Sequence, residues 1–177
     1  MNRNRWTVLT GLALAFAFCL ASINTSVAAP APGQSNASAA FEKMKMLVGH
    51  WEATTQKGKA LISYELIAGG ASLLERDNIV GEAEMVTLYH LDGTHLRLTH
   101  YCTAGNQPTM QAEPFDAASN EIHFNFVSAT NLASIDAGHM HQAVFKFTSP
   151  DEVSADWTWR EKGKNGPTEH LQYHRVR

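Results

Sequence analysis

The spacing of turn residues constrains the fold of this chain more than any other feature. From Trp51 onward, short runs of β-type residues are interrupted by Gly, Asn, Asp or Pro roughly every 8–14 residues. Sequential short strands with tight connections indicate an antiparallel meander, which removes its exposed edges by closing into a barrel. We therefore expect an all-β fold, an antiparallel barrel of eight to ten strands, with a two-layer sandwich as the alternative. The predicted strands are 50–55, 60–67, 71–78, 83–91, 95–103, 108–115, 121–128, 138–148, 152–162 and 168–177.

Local signals support the connections and add one helix. Asp92–Gly93 in "LDGT" and Asn165–Gly166 in "KNGP" are typical of β-hairpin turns. Before the strands, Phe41, Met44 and Leu47–Val48 recur at helical spacing, with Ser38 as a possible N-cap and Gly49 as a stop signal. The sequence thus predicts a short N-terminal helix leading into the barrel.

The N-terminus is typical of an exported protein. Two arginines precede the apolar run "TVLTGLALAFAFCLA", and small residues in "SVA" follow it. We therefore expect a signal peptide over 1–28, a flexible leader over 29–37 and one domain over 38–177, secreted or periplasmic and without a membrane segment after cleavage. A retained anchor is one alternative. Lipid attachment at Cys19 is another, although Phe18 stands where lipid-modifying sites want a small residue.

Charge and cysteine content exclude several classes of protein. Cleavage would leave 12 basic residues against 17 acidic ones, so the formal net charge would change from −3 to −5. Because no basic patch is present, a nucleic-acid partner is not expected. Cys102 would be the one remaining cysteine, so no disulfide within the chain is possible, and we expect its thiol to be buried.

Strand alternation predicts polar groups on the inner faces of the strands. His100 and Cys102 share a face with leucines, while His139 and His141 share one with Phe145 and Phe147. Trp157 and Trp159 also lie on one face. An unpaired buried polar group costs about 1–3 kcal/mol, so this mixture favours a cavity, although satisfied core residues would fit the same pattern. The predicted ligand-binding residues are His100, Cys102, Asn106, Gln107, His139, His141, Phe145, Phe147, Trp157 and Trp159.

The segment "CTAGNQPTM" supplies the two amides in that set. Gly105–Asn106 form a predicted tight turn at the barrel mouth, where Asn106 and Gln107 would orient a ligand. The alternative is that Asn106 only adopts a positive φ.

The segment "LVGHWEA" resembles the opening of calycin-type barrels, the lipocalin and nitrobindin superfamily. Gly49 and Trp51 carry the Gly-x-Trp pattern. The resemblance implies that an arginine of the last strand, Arg175 or Arg177, packs over Trp51. The segment "EMVTLYHLDGTHLRLTHYCTAGNQP" is similar to a family of small secreted bacterial calycin-like domains with no assigned function, and the likeness covers most of residues 41–177.

The closing segment "GPTEHLQYHRVR" resembles the last strand of nitrobindins, which implies His170 as a proximal haem ligand. Alternation in that strand favours the opposite orientation. An inward His170 would turn Leu171 and Tyr173 to solvent, whereas the reverse buries both of them. We therefore expect His170 on the outer surface.

Two other chemistries are weaker alternatives. His139 and His141 point the same way on a strand and could hold a metal together with His100. Enzymatic use of Cys102 would need a base within reach, and no nucleophile or nucleotide motif is present. The expected function is the binding of a small, mainly apolar molecule in a histidine-containing barrel cavity.

Overall fold

The computed structural model describes residues 32–55, 58–116 and 118–177, with side chains from residue 36 onward, and the predicted signal peptide lies outside these ranges. They form one helix followed by ten antiparallel strands in a closed barrel. The elements are α1 (Pro32–Lys45), β1 (Gly49–Thr55), β2 (Gly58–Ile67), β3 (Ser72–Ile79), β4 (Met85–Asp92), β5 (His95–Tyr101), β6 (Gln107–Ala112), β7 (Glu121–Thr130), β8 (His139–Ser149), β9 (Glu152–Glu161) and β10 (Lys164–Val176), with a 3₁₀ turn at Ala68–Gly70 between β2 and β3.

Each strand pairs with its neighbours in sequence, and β1 pairs with β10 to close the barrel. The closing register places Trp51 opposite Arg175 and Ala53 opposite Tyr173. The prediction of a closed antiparallel barrel is therefore confirmed, and the two-layer sandwich is wrong. Closure pairs the backbone N–H and C=O groups that an open sheet would expose at its edges, so no covering element is needed.

Of the two hairpin turns predicted from local sequence, one is confirmed and one is wrong. Asp92 pairs with His95, so the β4–β5 connection is the two-residue turn that "LDGT" predicts. The predicted turn at Asn165–Gly166 is wrong, because the chain reverses at Lys162–Gly163, where φ is 51° and 70°. Two consecutive positive φ values match the twist of a hairpin, and strand β10 consequently starts four residues earlier than predicted.

Helix α1 closes one end of the barrel. Phe41, Met44 and Leu47 are buried, as their helical spacing predicts. The helix begins at Pro32, ahead of the predicted Ser38, and so includes residues 32–37 of the expected leader. Proline is compatible with the first turn of a helix because the amide that it lacks would have no intrahelical partner there. No helix in the described part of the chain is both long and apolar enough to cross a bilayer.

A single arginine fastens the helix end to the barrel. The Arg175 guanidinium lies 4.1 Å from the centroid of the Trp51 ring, as the calycin resemblance implies. Its Nη atoms donate to the carbonyls of Val48 and Met46 at 2.8 and 2.7 Å, and Trp51 Nε1 donates to the Leu47 carbonyl at 2.6 Å. The chain between α1 and β1 therefore has its carbonyls paired through side chains of two strands.

An aromatic cluster fills the middle of the barrel. Tyr89, Phe124 and Phe145 meet with ring centroids 5.9–6.2 Å apart, and Trp157 extends the cluster at 6.1 Å from Phe145. Such tilted and edge-to-face contacts are the favoured arrangements of packed rings. The cluster separates the helix-capped end from the opposite end, where the interior is less filled.

Candidate functional site

The end of the barrel opposite α1 contains a cavity of about 660 Å³. This volume lies within the range of roughly 300–1,000 Å³ that is usual for small-molecule sites. Its walls are mostly apolar side chains and its rim carries carboxylates. The lining residues are Glu82, Met85, Cys102, Thr103, Ala104, Met140, Trp157, Trp159, Pro167, Thr168, Glu169 and His170. We refer to this end as the open end.

Trp159 forms one wall because two glycines leave room for its ring. A Cβ atom on Gly138 would lie 2.2 Å from the Trp159 ring, and one on Gly166 would lie 3.5 Å from it. The indole is therefore held between two stretches of backbone with its remaining surface towards the cavity. Trp157, two residues away on the same face of β9, is buried and lines the same cavity.

A break in the strand alternation places Met140 in the cavity wall instead of the neighbouring histidines. The β8–β9 register shifts between Met140 and Gln142, which is a β-bulge. A bulge inserts one extra residue and reverses the alternation on one side of it. Met140 therefore lines the cavity, and His139 and His141 lie away from the cavity that they were predicted to line.

The two histidines form a separate cluster with Phe126. The buried His139 ring lies 4.6 Å from Phe126, and the His141 ring stacks on Phe126 at 5.1 Å. His139 Nδ1 is bonded to the Ala137 carbonyl at 2.7 Å, and its Nε2 is 3.1 Å from His141 Nδ1. The carbonyl requires a proton on His139 Nδ1, so in the neutral ring His139 Nε2 accepts from His141. Burial, and then the charge of Arg160, lower the pKa of His141.

Beneath the cavity, a buried carboxylate is held by two tyrosines. Glu75 is 2% exposed, and its two oxygens accept hydrogen bonds from Tyr64 Oη at 2.9 Å and Tyr89 Oη at 2.5 Å. Burial raises the pKa of Glu75 to about 7, although hydrogen bonds from Tyr89, Tyr64 and Thr87 act in the opposite direction. Burial also raises the pKa of both tyrosines. A carboxyl group that titrates near neutrality inside a barrel is unusual and marks a candidate site.

Asp77 is the second acidic group of this region. It pairs across the sheet with Met85 of the cavity wall, and its Oδ1 atom is buried without a hydrogen-bond partner. Burial raises the pKa of Asp77 to about 7, and the charges of Glu75, Glu169 and Glu82 add to the effect. Asp77 therefore has one acidic neighbour in the core, Glu75, and two that line the cavity, Glu169 and Glu82.

His100 completes the polar region. Its Nδ1 atom lies 2.9 Å from Thr87 Oγ1, its ring centroid is 5.1 Å from that of Trp157, and its Nε2 atom has no partner. The proton of this hydrogen bond belongs to Thr87 in one tautomer of the ring and to His100 Nδ1 in the other. In either tautomer the buried Nε2 atom is without a hydrogen-bond partner. Burial lowers the pKa of His100 to about 4, which keeps the ring neutral.

The remaining predicted residues are divided between the cavity and the scaffold. Cys102 lines the cavity and is half-buried rather than buried, and neither ring nitrogen of His100 is bonded to its thiol. Phe145 belongs to the aromatic cluster of the core, and Phe147 lies under Lys43 at the helix-capped end. These two phenylalanines are therefore placed away from the cavity.

The two amides of the β5–β6 connection have structural contacts. Buried Asn106 donates from Nδ2 to the Gly138 carbonyl at 2.9 Å, which ties this turn to the start of β8. The positive φ expected as the alternative role of Asn106 belongs to Gly105 instead, at 82°. Gln107 is bonded to Thr130 Oγ1 at 2.7 Å and to the Gly105 carbonyl. Neither amide lines the cavity.

The geometry does not fit haem ligation through His170. Leu171 and Tyr173 are buried, as alternation predicts, and the His170 side chain is 62% exposed with Nδ1 2.5 Å from Asp156 Oδ1 on β9. His170 contributes to the rim of the cavity, but its exposed ring is held at the outer surface by Asp156 and does not enter the barrel interior. Within the described ranges, no group of three or more His, Cys, Asp or Glu side chains is placed to hold a metal ion.

The acidic residues were missed by the sequence analysis, although a signal for them exists. In the segment "LLERDNI", Glu75 and Asp77 alternate with Leu73 and Ile79, which are both buried. Applying the same alternation to β3 as to β5 would have placed two carboxylates on the inner face. The hydrogen bonds from Tyr64 and Tyr89 could not have been found this way, because they depend on contacts across three strands.

Comparison of the chain with models of known protein families, and with curated proteins, found no match. The class that the fold and the site define is a closed ten-stranded antiparallel β-barrel with one end capped by a helix and a cavity at the other.

Proposed function

We propose that this protein is an exported, calycin-like binding protein that holds a small, mainly apolar molecule in the cavity at the open end. The observation that carries the proposal is the cavity itself, about 660 Å³ in volume and walled by Trp157, Trp159, Met85 and Met140. Tryptophan and methionine offer large, polarizable surfaces that suit apolar ligands of varied shape.

Two further observations support the class and the compartment. The packing of Arg175 over Trp51 is the contact that the calycin resemblance implies. The features of residues 1–28 are those of a cleaved export signal, so we place the mature protein in the periplasm or outside the cell.

The test is a titration of the protein with N-phenyl-1-naphthylamine, an uncharged apolar dye whose emission rises in dry surroundings. We expect saturable binding of one dye per chain. Trp159→Ala should weaken it by about tenfold, because burying a large aromatic side chain is worth roughly 1.5–3 kcal/mol. Leu61→Ala is the matched control, since Leu61 is 52% exposed on the outer face.

An absence of saturable binding would contradict the proposal. So would equal losses in Trp159→Ala and Leu61→Ala, since the dye would then be reporting general surface adhesion.

A further inference from the structure

We infer that the open end recognises a ligand with an organic ammonium group, which the carboxylates beneath the cavity accept while the tryptophans hold its apolar body. This inference rests on the proposed binding function and names the class of ligand for the same cavity. Its first support is the acidic character of the cavity, which Glu82 and Glu169 line and whose charges act on the neighbouring Asp77 carboxyl.

The second support is that two buried polar atoms in this region have no hydrogen-bond partners. Asp77 Oδ1 and His100 Nε2 are both buried without hydrogen-bond partners, and His100 is 5% exposed. Asp77 Oδ1 is an acceptor, and His100 Nε2 is an acceptor in the tautomer whose proton is on Nδ1. An unsatisfied buried polar group costs about 1–3 kcal/mol, and a ligand that donates several N–H bonds would offset this cost.

The third support is that no lysine or arginine is among the described residues that line the cavity. No lysine or arginine is found among the buried residues of the described chain. The nearest basic side chain on β3, Arg76, points outward and is bonded to Glu84 at 3.1 Å. Asp77, whose buried Oδ1 atom has no hydrogen-bond partner, should interact strongly with an incoming ammonium, because the interior screens charge poorly.

The walls of the cavity suit the remainder of such a ligand. Trp157 pairs with Glu169 across β9 and β10 and both line the cavity, so a flat apolar body stacked on this indole would place its substituent near a carboxylate. Indole faces also attract cations, by about 0.5–2 kcal/mol. An aromatic or alkyl amine therefore satisfies both parts of the site.

The inference predicts a pH dependence that an apolar ligand would not show. An ammonium with a pKa near 10 stays charged, whereas Asp77 is protonated below about pH 7. Affinity should therefore rise by up to about tenfold per pH unit from pH 5.5 to 7 and then level off. The titratable groups that act on Asp77 or are acted on by it are Glu75, Glu82, Glu169, Tyr89 and Tyr173. Tyr64 and His100 lie one contact further away, bonded to Glu75 and Thr87 respectively.

Calorimetric titration with three matched indoles tests the inference. Tryptamine carries an ammonium, 3-ethylindole lacks it, and indole-3-acetate carries a carboxylate. At pH 8 we expect tryptamine to bind at least about tenfold more tightly than 3-ethylindole, a difference of about 1.4 kcal/mol, and indole-3-acetate to bind most weakly.

Asp77→Asn should remove most of the preference for tryptamine and leave the affinity for 3-ethylindole within about twofold. Glu65→Gln, which removes an exposed charge from the outer face, should keep the preference. Equal binding of tryptamine and 3-ethylindole would overturn the ammonium inference and leave the cavity function standing. Failure of tryptamine to bind would also overturn the inference, and the naphthylamine titration would then decide whether the proposed function fails with it.

Discussion

The two ends of the barrel differ in how completely their polar groups are paired. At the helix-capped end, Arg175 donates to three backbone carbonyls and lies over Trp51, and the Trp51 indole is itself hydrogen-bonded. At the open end, Asp77 Oδ1 and His100 Nε2 are buried without partners. The first arrangement stabilises the fold and the second weakens it. A difference of this kind is expected when stability and binding are assigned to different parts of one domain.

The helix-capped end should therefore be far more sensitive to truncation than the open end. Trp51→Ala removes a side chain that is 1% exposed and the surface on which Arg175 packs. We expect a loss of about 3–5 kcal/mol in the free energy of unfolding, measured by urea denaturation. Trp159→Ala should cost about 1–2 kcal/mol, because one side of its ring already faces the cavity. Equal losses would remove the distinction between the ends.

At the open end, removal of a charge should stabilise the ligand-free protein. The pKa of Asp77 is near 3.8 when unfolded and about 7 when folded, so the folded protein keeps a proton that the unfolded chain loses as pH rises from 4 to 7. The contribution of Asp77 to the stability of the parent protein therefore decreases over that pH range. Asp77→Asn should therefore be more stable than the parent, and its advantage should be about 2–3 kcal/mol larger at pH 8 than at pH 5.

Urea denaturation of both proteins at the two pH values measures this change, and comparing a variant with its parent cancels the opposing contribution of His100. An advantage for Asp77→Asn that does not grow with pH would show that Asp77 ionises normally in the fold.

Alanine substitution of one glycine at each end compares the two ends with smaller expected effects. Gly49 has φ of 126°, and a Cβ atom there would lie 3.0 Å from Arg175 Nη1, so Gly49→Ala should cost about 1–3 kcal/mol of stability. Gly138→Ala would instead press on the Trp159 ring. We expect it to change dye affinity by several-fold with a smaller effect on unfolding. The result that would contradict this is Gly49→Ala altering binding while Gly138→Ala alters only stability.

The sequence predicted the barrel because turn spacing and alternation are local properties. The same reasoning identified the Cys102, Trp157 and Trp159 positions in the cavity. It misplaced His139 and His141 because a bulge at Met140–Gln142 reverses the alternation without a residue type that marks it. The hydrogen bonds that Tyr64 and Tyr89 donate to Glu75 join three separate strands, so no local pattern contains them.

The most direct test of the account is fluorine NMR of the protein with 5-fluorotryptophan at every tryptophan, titrated with N-phenyl-1-naphthylamine. Trp51 reports on the helix-capped end, and Trp157 and Trp159 report on the cavity; single Trp→Phe variants assign the signals. We predict that the Trp157 and Trp159 signals move together and saturate at one dissociation constant, while the Trp51 signal stays in place. A titration that moves the Trp51 signal as much as the other two, or moves none of them, would contradict the account.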